Sequence, residues 1–80
     1  MNIYLIEQTD NNNYDTFDSA IVAASTEDKA RLIHPMEIEN WDGKRDNYGT
    51  WVSSDMVTVT LIGKAIDNKK GVLLASFNAG

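Results

Sequence analysis

From Ile3 to Gln8, β-branched, aromatic and aliphatic residues crowd a short run that stops at Thr9-Asp10-Asn11-Asn12-Asn13, the pattern of a strand followed by a wide, exposed turn. Tyr14 to Ala24 then brings Phe17, Ala20, Ile21, Val22, Ala23 and Ala24. That run is apolar on both faces and predicts an interior strand, paired with the first as a hairpin. Ser25-Thr26-Glu27-Asp28 reads as a helix start, with Ser25 accepting from first-turn N–H groups and Glu27 and Asp28 at the positive end of the dipole. Ala30 and Ile33 then face the sheet with Leu32 at the margin, while Lys29 and Arg31 point to water. Pro35 stops the helix and leaves His34 as its last residue.

Met36 to Ser54 has no clear period but holds Trp41 and Trp51, with Asp42-Gly43-Lys44-Arg45-Asp46-Asn47-Tyr48-Gly49 between them. A loop this long in a small domain is functional or disordered, and two tryptophans speak against disorder, so the segment is expected to fold back on the sheet. Met56 to Ile62 carries Val57, Val59 and Leu61 on one face and Thr58 and Thr60 on the other, a strand with a core side and a wet side. Gly63 to Lys70 forms the connection, with turn residues Asp67-Asn68-Lys69-Lys70-Gly71, and Val72 to Phe77 is the last strand, expected to close a second hairpin with the third. The expected fold class is α+β: a four-stranded antiparallel sheet with one short helix, in the order β-β-α-β-β, as a single domain over residues 1–80.

Composition narrows the setting. An 80-residue chain buries only about 60 to 65% of its unfolded surface, so its core must be used economically. With no cysteine, neither disulfides nor a thiolate zinc site can support it, and a reducing cytosol is permitted. The first apolar run is too short for a signal peptide, and no run is long enough for a membrane span. Twelve acids against seven bases give a net charge of −5, which disfavours direct nucleic-acid or anionic-membrane binding and suits a basic protein partner or plain solubility.

The chemistry of catalysis is thinly represented. His34 is the one imidazole, beside a proline at a helix end, where bonding to the last carbonyls is the plainer reading than a base paired with Asp15 or Asp18. Counted from Asp10, a calcium loop would need Asp or Asn at Tyr14, Gly at Asp15 and Glu at Ile21, and none is there. The glycines are scattered and form no phosphate-cradling loop. Neither an enzyme, a cofactor nor a metal is therefore expected. Lys44 and Arg45, between the tryptophans and beside Tyr48, have the makings of a site that stacks a base and pairs a phosphate. The plainer reading is that Trp41 and Trp51 complete the core while the two cations stay solvated. Glu37, Glu39, Asp42, Asp46 and Asp55 add a carboxylate-rich surface to the same segment.

The opening Ile3-Tyr4-Leu5-Ile6, Tyr14-Asp15 followed by Asp18-Ser19-Ala20-Ile21-Val22-Ala23-Ala24, the helix text Thr26-Glu27-Asp28-Lys29-Ala30-Arg31, the two tryptophans and the ending Ala75-Ser76-Phe77-Asn78-Ala79-Gly80 carry a resemblance. With them the chain resembles small accessory proteins of tailed bacteriophages and prophages, and its layout looks like that of some anti-CRISPR proteins. The resemblance implies a bacterial host cytoplasm and a protein that binds and inhibits a host component, such as a defence system. On that reading the Met36 to Asp55 segment is the contact surface, with Trp41, Asp42, Asp46, Tyr48 and Trp51 as partner-binding residues. The alternative is a homo-oligomer that sequesters a nucleotide immune signal through Lys44, Arg45 and Tyr48.

Overall fold

Strand β1 (Asn2–Glu7) runs antiparallel to β2 (Thr16–Ala24), in register from Asn2 opposite Ala24 to Glu7 opposite Ser19. The computed structural model describes residues 1–9, 16–45, 49–66 and 69–78, with Asn78 described by its backbone alone. The expected turn at residues 10–15 lies outside the described residues. Helix α1 (Glu27–Arg31) follows, then a 3-10 turn at Ser54–Met56, strand β3 (Thr58–Lys64) and strand β4 (Gly71–Asn78). The result is α+β: a four-stranded antiparallel sheet carrying one short helix, in strand order β3-β1-β2-β4.

That order corrects the expected second hairpin. β3 pairs with β1 and β4 pairs with β2, so the third and fourth strands occupy opposite edges of the sheet. The reason is backbone accounting. Placing one late strand on each side gives both β1 and β2 two hydrogen-bonded neighbours, whereas a β3–β4 hairpin would leave part of the early pair at an edge. The connection of residues 65–70 must span three strand spacings, about 14 Å, which six residues at roughly 3.3 Å each can reach. Its first residue continues the β1 ladder, Ala65 N–H donating to the Met1 carbonyl at 2.9 Å.

The helix also differs from expectation at both ends. Its cap is Thr26, not Ser25: the Thr26 Oγ1 accepts from the Lys29 N–H at 3.1 Å. It stops at Arg31, before His34, because Pro35 disfavours helical backbone in the residue preceding it, and the chain leaves through the tighter bonds Leu32 N–H to Lys29 O and Ile33 N–H to Ala30 O.

The two faces of the sheet have different fates. Tyr4 and Ile6 of β1, with Ala20, Val22 and Ala24 of β2, point to one face and are buried with Ala30 of α1 and with Trp51, Val52 and Val57 from the returning chain. Val59 and Ile33 pack against this cluster at its margin. Leu61, expected in the core, stands opposite Tyr4 yet is exposed on the edge strand, next to a bulge at Ile62 where the pairing with Ile3 and Tyr4 shifts. The opposite face carries Ile3, Leu5, Glu7, Ser19 and Ile21, joined in register by Thr58 and Thr60 of β3 and by Leu74 and Ser76 of β4.

Candidate functional site

Polar attachments fasten the cover over the packed face. Arg31, expected to point to water, instead turns inward: Nη1 donates to the carbonyls of Ser54, at 3.3 Å, and Val57, while Nη2 lies 3.8 Å from Glu27 Oε1. Helix and 3-10 turn are thereby tied together. Gly43 is buried at φ +83°, its carbonyl accepts from the Ser54 N–H at 2.7 Å, and a Cβ built on it would lie 2.8 Å from Ser54 Oγ and 3.0 Å from Leu32 Cδ2. Only glycine fits this backbone and this space. At the far end of the sheet, Phe17 N–H donates to the Thr50 carbonyl at 2.9 Å, which draws Trp51 and Val52 onto the packed face.

Between these attachments the chain makes a ridge. His34 is buried, and its Nδ1 accepts from the Met36 N–H at 3.0 Å while its carbonyl accepts from the Glu37 N–H at 2.8 Å, closing a tight turn after Pro35. Acceptance at Nδ1 leaves the ring proton on Nε2. The His34 ring meets the half-buried Trp41 edge-on, with centroids 5.3 Å apart and planes at 87°. Trp41 Nε1–H donates to the Lys44 carbonyl at 2.7 Å, and the Lys44 N–H donates to Asp42 Oδ1 at 2.9 Å, so the loop after the ridge is closed on itself. Glu37 and Asn40 hold left-handed backbone, φ 58° and 54°. Asparagine tolerates that region, but glutamate there costs on the order of 1 kcal/mol.

This framework leaves large apolar side chains in water. Met36 is 50% exposed, Leu32 and Ile38 are exposed with it, and Glu37, Glu39 and Asp42 are exposed in the same segment. The ridge forms one wall of a groove of about 830 Å³, lined among others by Leu32, Ile33, Ile38 and Trp41, with Lys29 and Lys70 at its sides and Met1 and Ala24 at the sheet end. The groove is open to solvent, and the charges about it are mixed in sign.

The residues singled out in the sequence divide on this framework. Trp51 is a correction: it is 0% exposed in the core, so its ring is not presented to a partner. Trp41 lines the groove, and Asp42 is exposed next to it. Lys44 and Arg45 are exposed on the following loop and are not among the described residues that line the groove. Asp46 and Tyr48 lie outside the described residues. Leu32, Met36 and Ile38 were not foreseen as site residues. Their one signal in the sequence is that apolar residues flank Pro35 without the period of any element.

Among the described residues no group of three or more His, Asp and Glu side chains is arranged to hold a metal ion, and no helix is long and apolar enough to cross a membrane. Compared with known proteins, the chain matches no family model, no curated protein and no solved structure.

Proposed function

We propose that this chain is a non-enzymatic accessory protein that acts by binding another protein, with the ridge of Leu32, Met36, Ile38 and Trp41 as its contact surface. One observation carries the reading: large apolar side chains stand exposed on a backbone that is held in place, at the cost of a left-handed glutamate, where burial would be the ordinary outcome. Apolar anchors in one segment with the exposed Glu37, Glu39 and Asp42 suit a partner that offers an apolar segment flanked by basic residues. The likeness to phage accessory proteins makes a bacterial host protein, and a defence component before others, the partner of choice, with inhibition as the consequence of binding.

A nucleotide held in the groove is the second reading, since about 830 Å³ falls within the range of ligand sites and Trp41 with Lys29 and Lys70 offers stacking and charge. An open groove favours the protein partner, because ligand sites bury most of their ligand's surface. The test is affinity purification of the tagged chain from a bacterial host, with co-purified proteins and heat-released small molecules both identified by mass spectrometry. A host protein retained by the wild type and lost by a folded Ile38→Asp variant is the expected result. Retention by that variant removes the ridge from the reading, and a released nucleotide with no protein replaces it with the second.

A further inference from the structure

No described helix or strand packs on the face of the sheet turned away from α1, where Ala23 is buried at one end, Leu5, Ser19 and Ile21 are half-buried and Leu74 is exposed. Leu5, Ser19, Ile21, Leu74 and Ser76 surround a shallow depression of about 110 Å³ at its middle, and Leu74 stands 65% exposed at the rim. In register with them are Ile3 of β1 and Thr58 and Thr60 of β3. We propose that a second copy of this chain covers this face, the two sheets packing about a two-fold axis so that Leu74 of each copy enters the depression of the other.

Charge selects the occupant. A two-fold contact sets every side chain against surroundings drawn from the same surface, so a face that binds itself must avoid one-signed charge. The chain carries a net charge of −5, yet Glu7, at one end, is the sole charged side chain in the described register of this face. Heterologous partners of an acidic protein are selected by opposite charge, and this face offers almost none to select with. The area also fits. Four strands at about 4.8 Å spacing and six residues at about 3.3 Å give a plan of roughly 19 by 20 Å per copy. Two such faces with their side-chain relief bury on the order of 1,200 Å², the small end of specific interfaces, so the dimer should form in the micromolar range. Leu5, Ile21 and Leu74 form an apolar row across the middle, bordered by Thr60 at one edge and by Thr58, Glu7, Ser19 and Ser76 at one end, so polar side chains flank the apolar row on two sides.

Sedimentation of the full chain from about 10 µM to about 1 mM, the range that brackets such an affinity, tests the proposal. The wild type should pass from monomer to dimer. Leu74→Glu, at a position 65% exposed, should weaken the dimer on the order of a hundredfold by opposing two carboxylates in an apolar contact. Thr60→Arg on the same face gives an independent second variant, and circular dichroism confirms that each is folded. Met36→Glu, on the ridge side, should leave the dimer unchanged. A wild type monomeric at the highest concentration overturns the proposal. So does a dimer that survives both face variants, which would belong to a free strand edge, or one lost on Met36→Glu alone, which would belong to the ridge.

Discussion

Trp51→Ala and Trp51→Phe together ask whether this ring holds the fold or binds a partner. Trp51 is 0% exposed and is the largest fully buried side chain, packed with Tyr4, Ile6, Val22 and Val52. Replacing a buried tryptophan by alanine costs about 3–5 kcal/mol in lost burial and cavity. A chain of 80 residues has a total stability of roughly 4–12 kcal/mol, so Trp51→Ala should remove a quarter or more of it and can leave the protein unfolded. Phenylalanine should behave differently. The Trp51 indole N–H is buried with no hydrogen-bond acceptor among the described residues, a condition that costs about 1–3 kcal/mol, and phenylalanine removes this donor while keeping part of the ring. The two effects oppose each other, and Trp51→Phe should lie within about 1.5 kcal/mol of wild type. Urea unfolding followed by far-ultraviolet circular dichroism measures both, with the midpoint shift converted through the common slope. An alanine variant within about 1 kcal/mol of wild type would refute the core assignment. A phenylalanine variant as damaged as the alanine one would show that the N–H is satisfied after all.

Two further substitutions test the fastening of the cover. Gly43→Ala should destabilise by about 2–4 kcal/mol, since it adds strain at φ +83° to a Cβ within 3.0 Å of both Ser54 Oγ and Leu32 Cδ2; thermal unfolding reads the loss, and an unchanged midpoint would mean that the loop moves aside. Arg31→Met should cost about 1–3 kcal/mol, chiefly through the Val57 carbonyl that loses this donor, since the Ser54 carbonyl keeps the Val57 N–H at 3.2 Å, whereas Glu27→Gln, which removes only an exposed ion pair at 3.8 Å, should stay within about 0.5 kcal/mol in the same urea titration.

Strand β2 was legible in the sequence because an interior strand is apolar on both faces, and that is a local property. The partners of β3 and β4 were not, because Asp67 to Gly71 reads as a turn whether the chain doubles back or crosses to the other edge. What decides is distant: β1 and β2 each need two neighbours. The tryptophans show the same limit. Nothing local separates Trp41 from Trp51, and the bond from Phe17 N–H to the Thr50 carbonyl, across more than thirty positions of sequence, is what seats one of them in the core. Arg31 was read as solvated because a helix of the expected length would have turned it outward. Ending the helix at Arg31 itself lets the chain bring Ser54 and Val57 within its reach. Glu37 carries no signal at all, since glutamate is not a residue that left-handed backbone selects.

The two proposed surfaces lie on opposite sides of one sheet, and this placement has a consequence for binding. If the open faces pair, α1 and the ridge of each copy point outward, away from the contact, so dimerisation conceals neither groove and presents two. A partner that displays two matching segments, or that is itself a symmetric oligomer, then meets a bivalent ligand, and the second contact forms at high effective concentration. Such linkage raises overall affinity by about 10²–10⁴ where the geometry allows both contacts. A ridge of four apolar side chains on an 80-residue chain need not bind tightly by itself for the assembly to hold its target. The same logic makes the surfaces separable. Leu74→Glu should leave the ridge intact and reduce avidity alone, whereas Ile38→Asp should abolish binding and leave the dimer, so loss of both by either variant would mean that the two surfaces are one.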